Sequence, residues 1–121
     1  MKYDEVSNAL FNAFPELIRD DCSEGLPYCI AGNFANYLLE KYKNNSLDTL
    51  VLAGAFIENL YLYKDEEIDN LATVGYLEAI QNVWADNAKE MVKYLGKVSS
   101  NQWKKLNKYW NGEIVDLSTN S

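Results

Sequence analysis

Two glutamates, Glu58 and Glu78, each follow a run of apolar residues, Ala55-Phe56-Ile57 before one and Tyr76-Leu77 before the other. Carboxylates facing each other across helices and held away from water can share a proton or hold a metal in a bundle core. The dimetal form of that chemistry needs Glu-x-x-His pairs, and the chain contains no histidine. Both glutamates are therefore expected at the solvent edge of helices, or accepting hydrogen bonds from nearby tyrosines.

Other chemistry fails on similar grounds. The segment Asp20-Asp21-Cys22-Ser23-Glu24-Gly25 superficially matches a calcium loop, but Cys22 occupies the third position and Ala31 the twelfth, where oxygen ligands are required. Cys22 and Cys29 match no zinc spacing, and no imidazole is present to activate either as a nucleophile or to complete a serine triad. Gly25 and Pro27 would let the loop between them close into a disulfide. In a cytoplasmic chain, however, two free thiols are expected. Gly32, Gly54 and Gly75 are isolated within helical patterns and form no phosphate loop; they read as points of close helix packing. With no histidine and a single arginine, Arg19, the chain is expected to bind rather than catalyse, with no cofactor and no metal.

Charge is more informative than any motif. The 121 residues carry a net charge of −7. Residues 1–86 hold 15 acids and 5 bases, and residues 87–121 hold 6 lysines and 3 acids. Such a field repels nucleic acid and anionic membranes, and neither is expected as a partner. Two acid groups stand out: Asp20, Asp21 and Glu24 in a loop, and Asp65, Glu66, Glu67 and Asp69 at a helix start. They can serve as solvated loop and helix-capping charges, or steer and dock a basic protein. In the docking reading, Tyr28, Tyr61 and Tyr63 are candidate anchors. Lys89, Lys93 and Lys97 are spaced by four and should line one helix face. Trp103, Leu106 and Trp110 should form an ordinary apolar stripe, with Lys104, Lys105 and Lys108 on its wet side.

Helical periodicity runs through almost the whole chain, and no segment alternates with period two. The first helix is expected over 3–14, with Val6, Leu10, Phe11 and Phe14 inward and a short continuation over 16–19 after Pro15. The region 20–27 reads as a loop. A second helix over 28–43 should bury Ile30, Phe34, Tyr37, Leu38 and Tyr42. A third, over 47–63 with Ser46 as N-cap, is apolar nearly all round, which predicts packing on several sides. A fourth runs from Asp65 through Trp84, a fifth over 87–95 with Gly96 as its stop, and a last over 99–110. Ser99 and Gln102 fit a capping box for that last helix. The fold class is all-α, an irregular bundle of five or six short helices in a single domain over 1–121, with the tail 112–121 ordered in part. No apolar run approaches a membrane span, Met1-Lys2-Tyr3-Asp4-Glu5 lacks a signal-peptide core, and the cytoplasm is the expected location.

Three blocks together carry a family resemblance: Phe14-Pro15-Glu16-Leu17; Ile57-Glu58-Asn59-Leu60 through Asp65-Glu66-Glu67-Ile68-Asp69-Asn70 to Tyr76-Leu77-Glu78; and Leu95-Gly96 through Ser99 to Tyr109-Trp110. Their arrangement resembles small all-helical bacterial immunity proteins of contact-dependent growth-inhibition and polymorphic toxin systems. Some of those neutralise nuclease toxins, including toxins of the EndoU type. The resemblance implies a cytoplasmic protein that binds a cognate toxin and carries no catalytic residues of its own. The expected function is an immunity protein that neutralises a basic nuclease through its acidic surface. The rival is a non-enzymatic helical adaptor or regulatory subunit that self-associates.

Overall fold

In the computed structural model, which describes residues 1–17, 26–113 and 115–118, all regular structure is helical and no strand occurs among those residues. A 3₁₀ turn (Tyr3–Glu5) leads into α1 (Val6–Ala13), which is followed by α2 (Pro27–Lys43) and α3 (Leu47–Leu60). A 3₁₀ turn (Tyr61–Tyr63) precedes α4 (Glu66–Asn70), a π-helical stretch (Leu71–Leu77) and α5 (Glu78–Trp84). A 3₁₀ segment (Ala85–Tyr94) and α6 (Lys97–Trp110) complete the helices among the described residues. The expected all-α, irregular bundle of short helices is what forms.

Each boundary has a local cause. Pro27 opens α2 at a position where its missing N–H is no loss. Asp65 caps α4, its Oδ1 accepting from the Glu67 and Ile68 N–H groups at 2.9 and 3.1 Å. Ser46 stands at the N-cap of α3, but its side chain makes no capping bond. Residues Asn70, Leu71, Leu77 and Glu78 all keep right-handed helical angles, so α4, the π stretch and α5 run on as one rod, as the pattern over 65–84 predicts.

α2 is the hub, packing against α3, the π stretch and α5. Its inward face carries Ile30, Phe34 and Leu38, all buried, with Tyr37 and Tyr42 partly buried beside them. Phe14 from the turn after α1 meets Phe34 at 4.9 Å and Phe56 at 6.1 Å between ring centroids, and Tyr76 meets Phe34 at 5.8 Å. The Trp84 indole N–H donates to the Ala35 carbonyl at 3.0 Å, which satisfies the one polar atom of a nearly inaccessible ring. Gly54 lies directly under the Tyr94 carbonyl, and Gly75 lies against Leu71 and Tyr28, so both are close-packing glycines. Gly32 has open space above it and serves no such purpose.

Several expectations are overturned. Leu17 is buried in a turn rather than a helical continuation; Ile18 and Arg19 lie outside the described residues. The region 85–94 winds as a 3₁₀ helix, so Lys89 and Lys93 do not share an α-helical face with Lys97, which opens α6. Trp103 and Leu106 are buried, but Trp110 is exposed beside Tyr109, so the apolar stripe of α6 stops one turn early. α3, by contrast, packs on several sides as expected, against α2, the 85–94 segment and α6, while Leu47, Val51 and Leu52 face solvent. Cys29 is disulfide-bonded, against the expectation of free thiols; Cys22, the other cysteine, lies outside the described residues.

Candidate functional site

Glu58 is engaged as a helix cap. It projects from α3 onto the start of α6, where Oε1 accepts from the Ser99 N–H at 2.9 Å and from Ser99 Oγ at 2.7 Å. Oε2 accepts from the Val98 N–H at 3.1 Å. The N-cap residue of α6 is Gly96, which has no side chain to cap with, and the first turn holds no acid. Glu58 supplies both missing items from another helix: an acceptor for orphan N–H groups and a negative charge at the positive end of the dipole. Burial pushes its carboxyl up, but the bonds from Ser99 and Val98 outweigh that and hold it below the ordinary value. Gly96 packs directly on this carboxylate, leaving no room for a Cβ.

The capping box expected from Ser99 and Gln102 is therefore shifted by one turn. Ser99 occupies the third helical position, and its Oγ accepts from the Gly96 N–H at 3.0 Å. Gln102 points inward instead. Its Nε2 donates to Thr73 Oγ1 at 3.2 Å and to the Leu117 carbonyl at 2.7 Å, while Tyr61 OH and Thr73 Oγ1 share a bond of 2.7 Å. This buried chain ties the π stretch, α6 and the segment 115–118 together. Lys105 Nζ adds a bond to the Ser118 carbonyl at 3.0 Å.

Glu78 is half-buried on α5 and makes no hydrogen bond or ion pair with any described residue. Burial alone raises its carboxyl, with no neighbouring charge contributing. Glu58 and Glu78 thus have separate surroundings and do not act as a pair. Among the described residues, no group of acids and cysteines is arranged to hold a metal ion.

A groove of about 630 Å³ opens between the start of α4, the start of α6 and the segment 115–118. Glu66, Asp69 and Asp116 line it, together with Lys64, Asn70 and Ser118. Asp116 Oδ1 accepts from the Ser118 N–H at 2.9 Å; this bond, a second from Ser118 Oγ, and Lys105 hold its carboxyl below the ordinary value. The sequence reading missed Asp116, because it is an isolated acid in the tail. Only the pinning of Leu117 and Ser118 by Gln102 and Lys105 brings it to the α4 acids.

The remaining candidates separate. Asp65 is engaged as the α4 cap, and Glu66 and Glu67 are exposed on the first turn. Tyr28 is exposed at the start of α2; burial of its ring and the nearby Tyr3 and Glu67 raise its hydroxyl. It therefore joins the α4 acids in space, although 39 residues separate it from Glu67 in the chain. Tyr63 is exposed after α3, whereas Tyr61 is interior, 3 % exposed, with its hydroxyl on Thr73. Asp20, Asp21 and Glu24 lie outside the described residues.

A family defined as a domain of unknown function matches residues 7–111. The chain belongs to the DUF7674 family. The match takes in Glu58, Gly96, Ser99 and the α4 acids, and stops short of Asp116. No curated protein and no solved structure matches the sequence. Among the described residues, no helix is long and apolar enough to cross a membrane.

Proposed function

We propose that this chain is an immunity protein that binds a basic nuclease toxin of the contact-dependent growth-inhibition or polymorphic type and neutralises it. The observation that carries the reading is the groove in which Glu66, Asp69 and Asp116 converge from two distant parts of the chain. Three carboxylates around one concavity favour a lysine or arginine side chain, the groups with which a nuclease holds its phosphate backbone. Glu67 and the nearby Tyr28 add acidic and aromatic contacts on the α4 side. Occupying those cations removes the toxin's grip on nucleic acid without any catalytic step in the inhibitor.

The reading places the protein in the cytoplasm, where a disulfide at Cys29 is subject to reduction. Among the described residues, the groove lining does not include Cys29, so binding should persist in reductant. The direct test is co-purification of the tagged chain with the product of its neighbouring gene, at low and high salt. A one-to-one complex that silences a basic nuclease is expected. Glu66→Lys combined with Glu67→Lys should weaken it about tenfold or more, chiefly through the association rate. Full affinity in that variant, with its helical circular dichroism intact, would remove this surface from the reading.

A second reading, a self-associating adaptor, draws on the uncovered apolar side of α3.

A further inference from the structure

The outer side of α3 departs from the rest of this acidic molecule. Leu47, Val51, Leu52, Leu62 and Tyr63 are each between 43 % and 65 % exposed there, with exposed Ala55 between them. At 100° per residue, positions 47, 51, 52, 55 and 59 fall within one arc of the helix, and the turn at 61–63 continues it. Two acids share that arc, and Glu58 near its edge is already engaged on α6, which leaves Asp48 as the one acid facing outward. The rest of residues 1–86 is far more acidic, with 15 acids in all. The summed apolar exposure is on the order of 500 Å², the size at which a patch on a monomer marks an interaction site.

We propose that this face is a symmetric interface between two copies of the chain, formed by antiparallel packing of α3 on α3. Charge selects this occupant. A chain of net charge −7 repels its own copy wherever acids meet acids, and α3 offers a broad face nearly free of unengaged ones. A two-fold axis near Ala55 sets the start of one helix against the end of the other. Asp48 of one copy then comes toward Lys64 of the second, an exposed residue at the rim of the acidic groove that makes no ion pair with a described residue of its own chain. The two ends of the interface are complementary rather than repulsive. Leu47 meets the Leu62 and Tyr63 end in the same register. Ala55 at the axis has the small side chain that lets two helices approach to about 8–10 Å. The apolar area makes up well over half of the ~800 Å² that each partner contributes to a stable dimer, and polar neighbours can supply the rest.

Sedimentation velocity of the full chain over a range of about 1 µM to 1 mM reads the association directly. A concentration-dependent dimer is expected, persisting in high salt because its centre is apolar. Leu52→Glu should raise the dissociation constant at least about tenfold without changing the helical circular dichroism. Asp48→Lys should also weaken the dimer, and adding Lys64→Glu to it should restore association. A monomer throughout the range overturns the proposal. So does a dimer that ignores Leu52→Glu, or one in which the charge exchange at Asp48 and Lys64 gives no recovery.

Discussion

Ser99 meets Glu58 twice, through its N–H at 2.9 Å and its hydroxyl at 2.7 Å, so a side chain from α3 caps a helix that begins 39 residues later. The same serine accepts the Gly96 N–H. One residue thus completes both the local and the long-range part of the cap.

Removing the carboxylate should therefore loosen α6 from α3. Glu58→Ala is expected to cost about 2 kcal/mol and Ser99→Ala about 1 kcal/mol, in the range for caps and charged hydrogen bonds. The double variant should lose less than the sum, because both changes break the bond between the Ser99 hydroxyl and Glu58. Urea denaturation of the four proteins measures this. The effect has a defined pH dependence. The folded carboxyl titrates below its ordinary value of 4.5, so the unfolded chain binds more protons as pH falls past that point. The cap's ionic contribution is complete above about 4.5 and fades as pH drops through the folded value. A Glu58→Ala penalty that is unchanged at strongly acid pH would contradict the charge argument.

Glu78→Gln should behave in the opposite sense. Burial without a partner raises its carboxyl, so the folded state holds the proton more tightly and wild-type stability falls as pH rises through the ordinary range. The amide removes the half-buried charge. A gain of up to about 0.5 kcal/mol at neutral pH is expected, vanishing below the ordinary glutamate range. A loss at neutral pH would reveal a partner for this carboxylate.

Two glycines at similar helical positions should respond in opposite directions. A methyl at Gly54 runs into the Tyr94 carbonyl, which belongs to backbone and cannot swing aside. Gly54→Ala is expected to cost about 1–3 kcal/mol, as overpacking does. Gly32→Ala meets nothing within 4 Å and should gain close to the full helix-propensity difference of about 0.8–1 kcal/mol. Thermal melts of both variants make the comparison.

Thr73→Val keeps the shape of the residue and removes the oxygen shared by Tyr61 and Gln102. Two buried polar groups then lose a partner, at an expected cost of about 1–3 kcal/mol. Because Gln102 also holds the Leu117 carbonyl, amide exchange in the segment 115–118 should quicken as well. Protection unchanged there would mean that Lys105 and Leu117 packing alone hold the segment.

Much of the fold follows from pattern in the chain itself. The inward faces of α1 and α2, the boundary at Asn44, the cap at Asp65 and the continuous rod from α4 to α5 are set by residues within a few positions of one another. Periodicity, proline and capping chemistry act locally, so they can be read locally. The acidic first half is legible in the same way.

What the sequence could not decide were choices between neighbours distant in the chain. Glu58 is a carboxylate among apolar residues until α6 is laid across it, and only then does it become a cap. Asp116 joins Glu66 and Asp69 because bonds from Gln102 and Lys105 fix the segment 115–118. Tyr61 and Tyr63 stand two positions apart, yet one is interior and the other exposed, since the turn after α3 rotates them to different sides. The apolar α3 packs on several sides as its pattern predicts, but which part of its circumference stays uncovered is set by the bundle. Composition sets how much surface a chain seeks to bury; the tertiary arrangement decides which surface is left over, because only packing determines which faces find a neighbour.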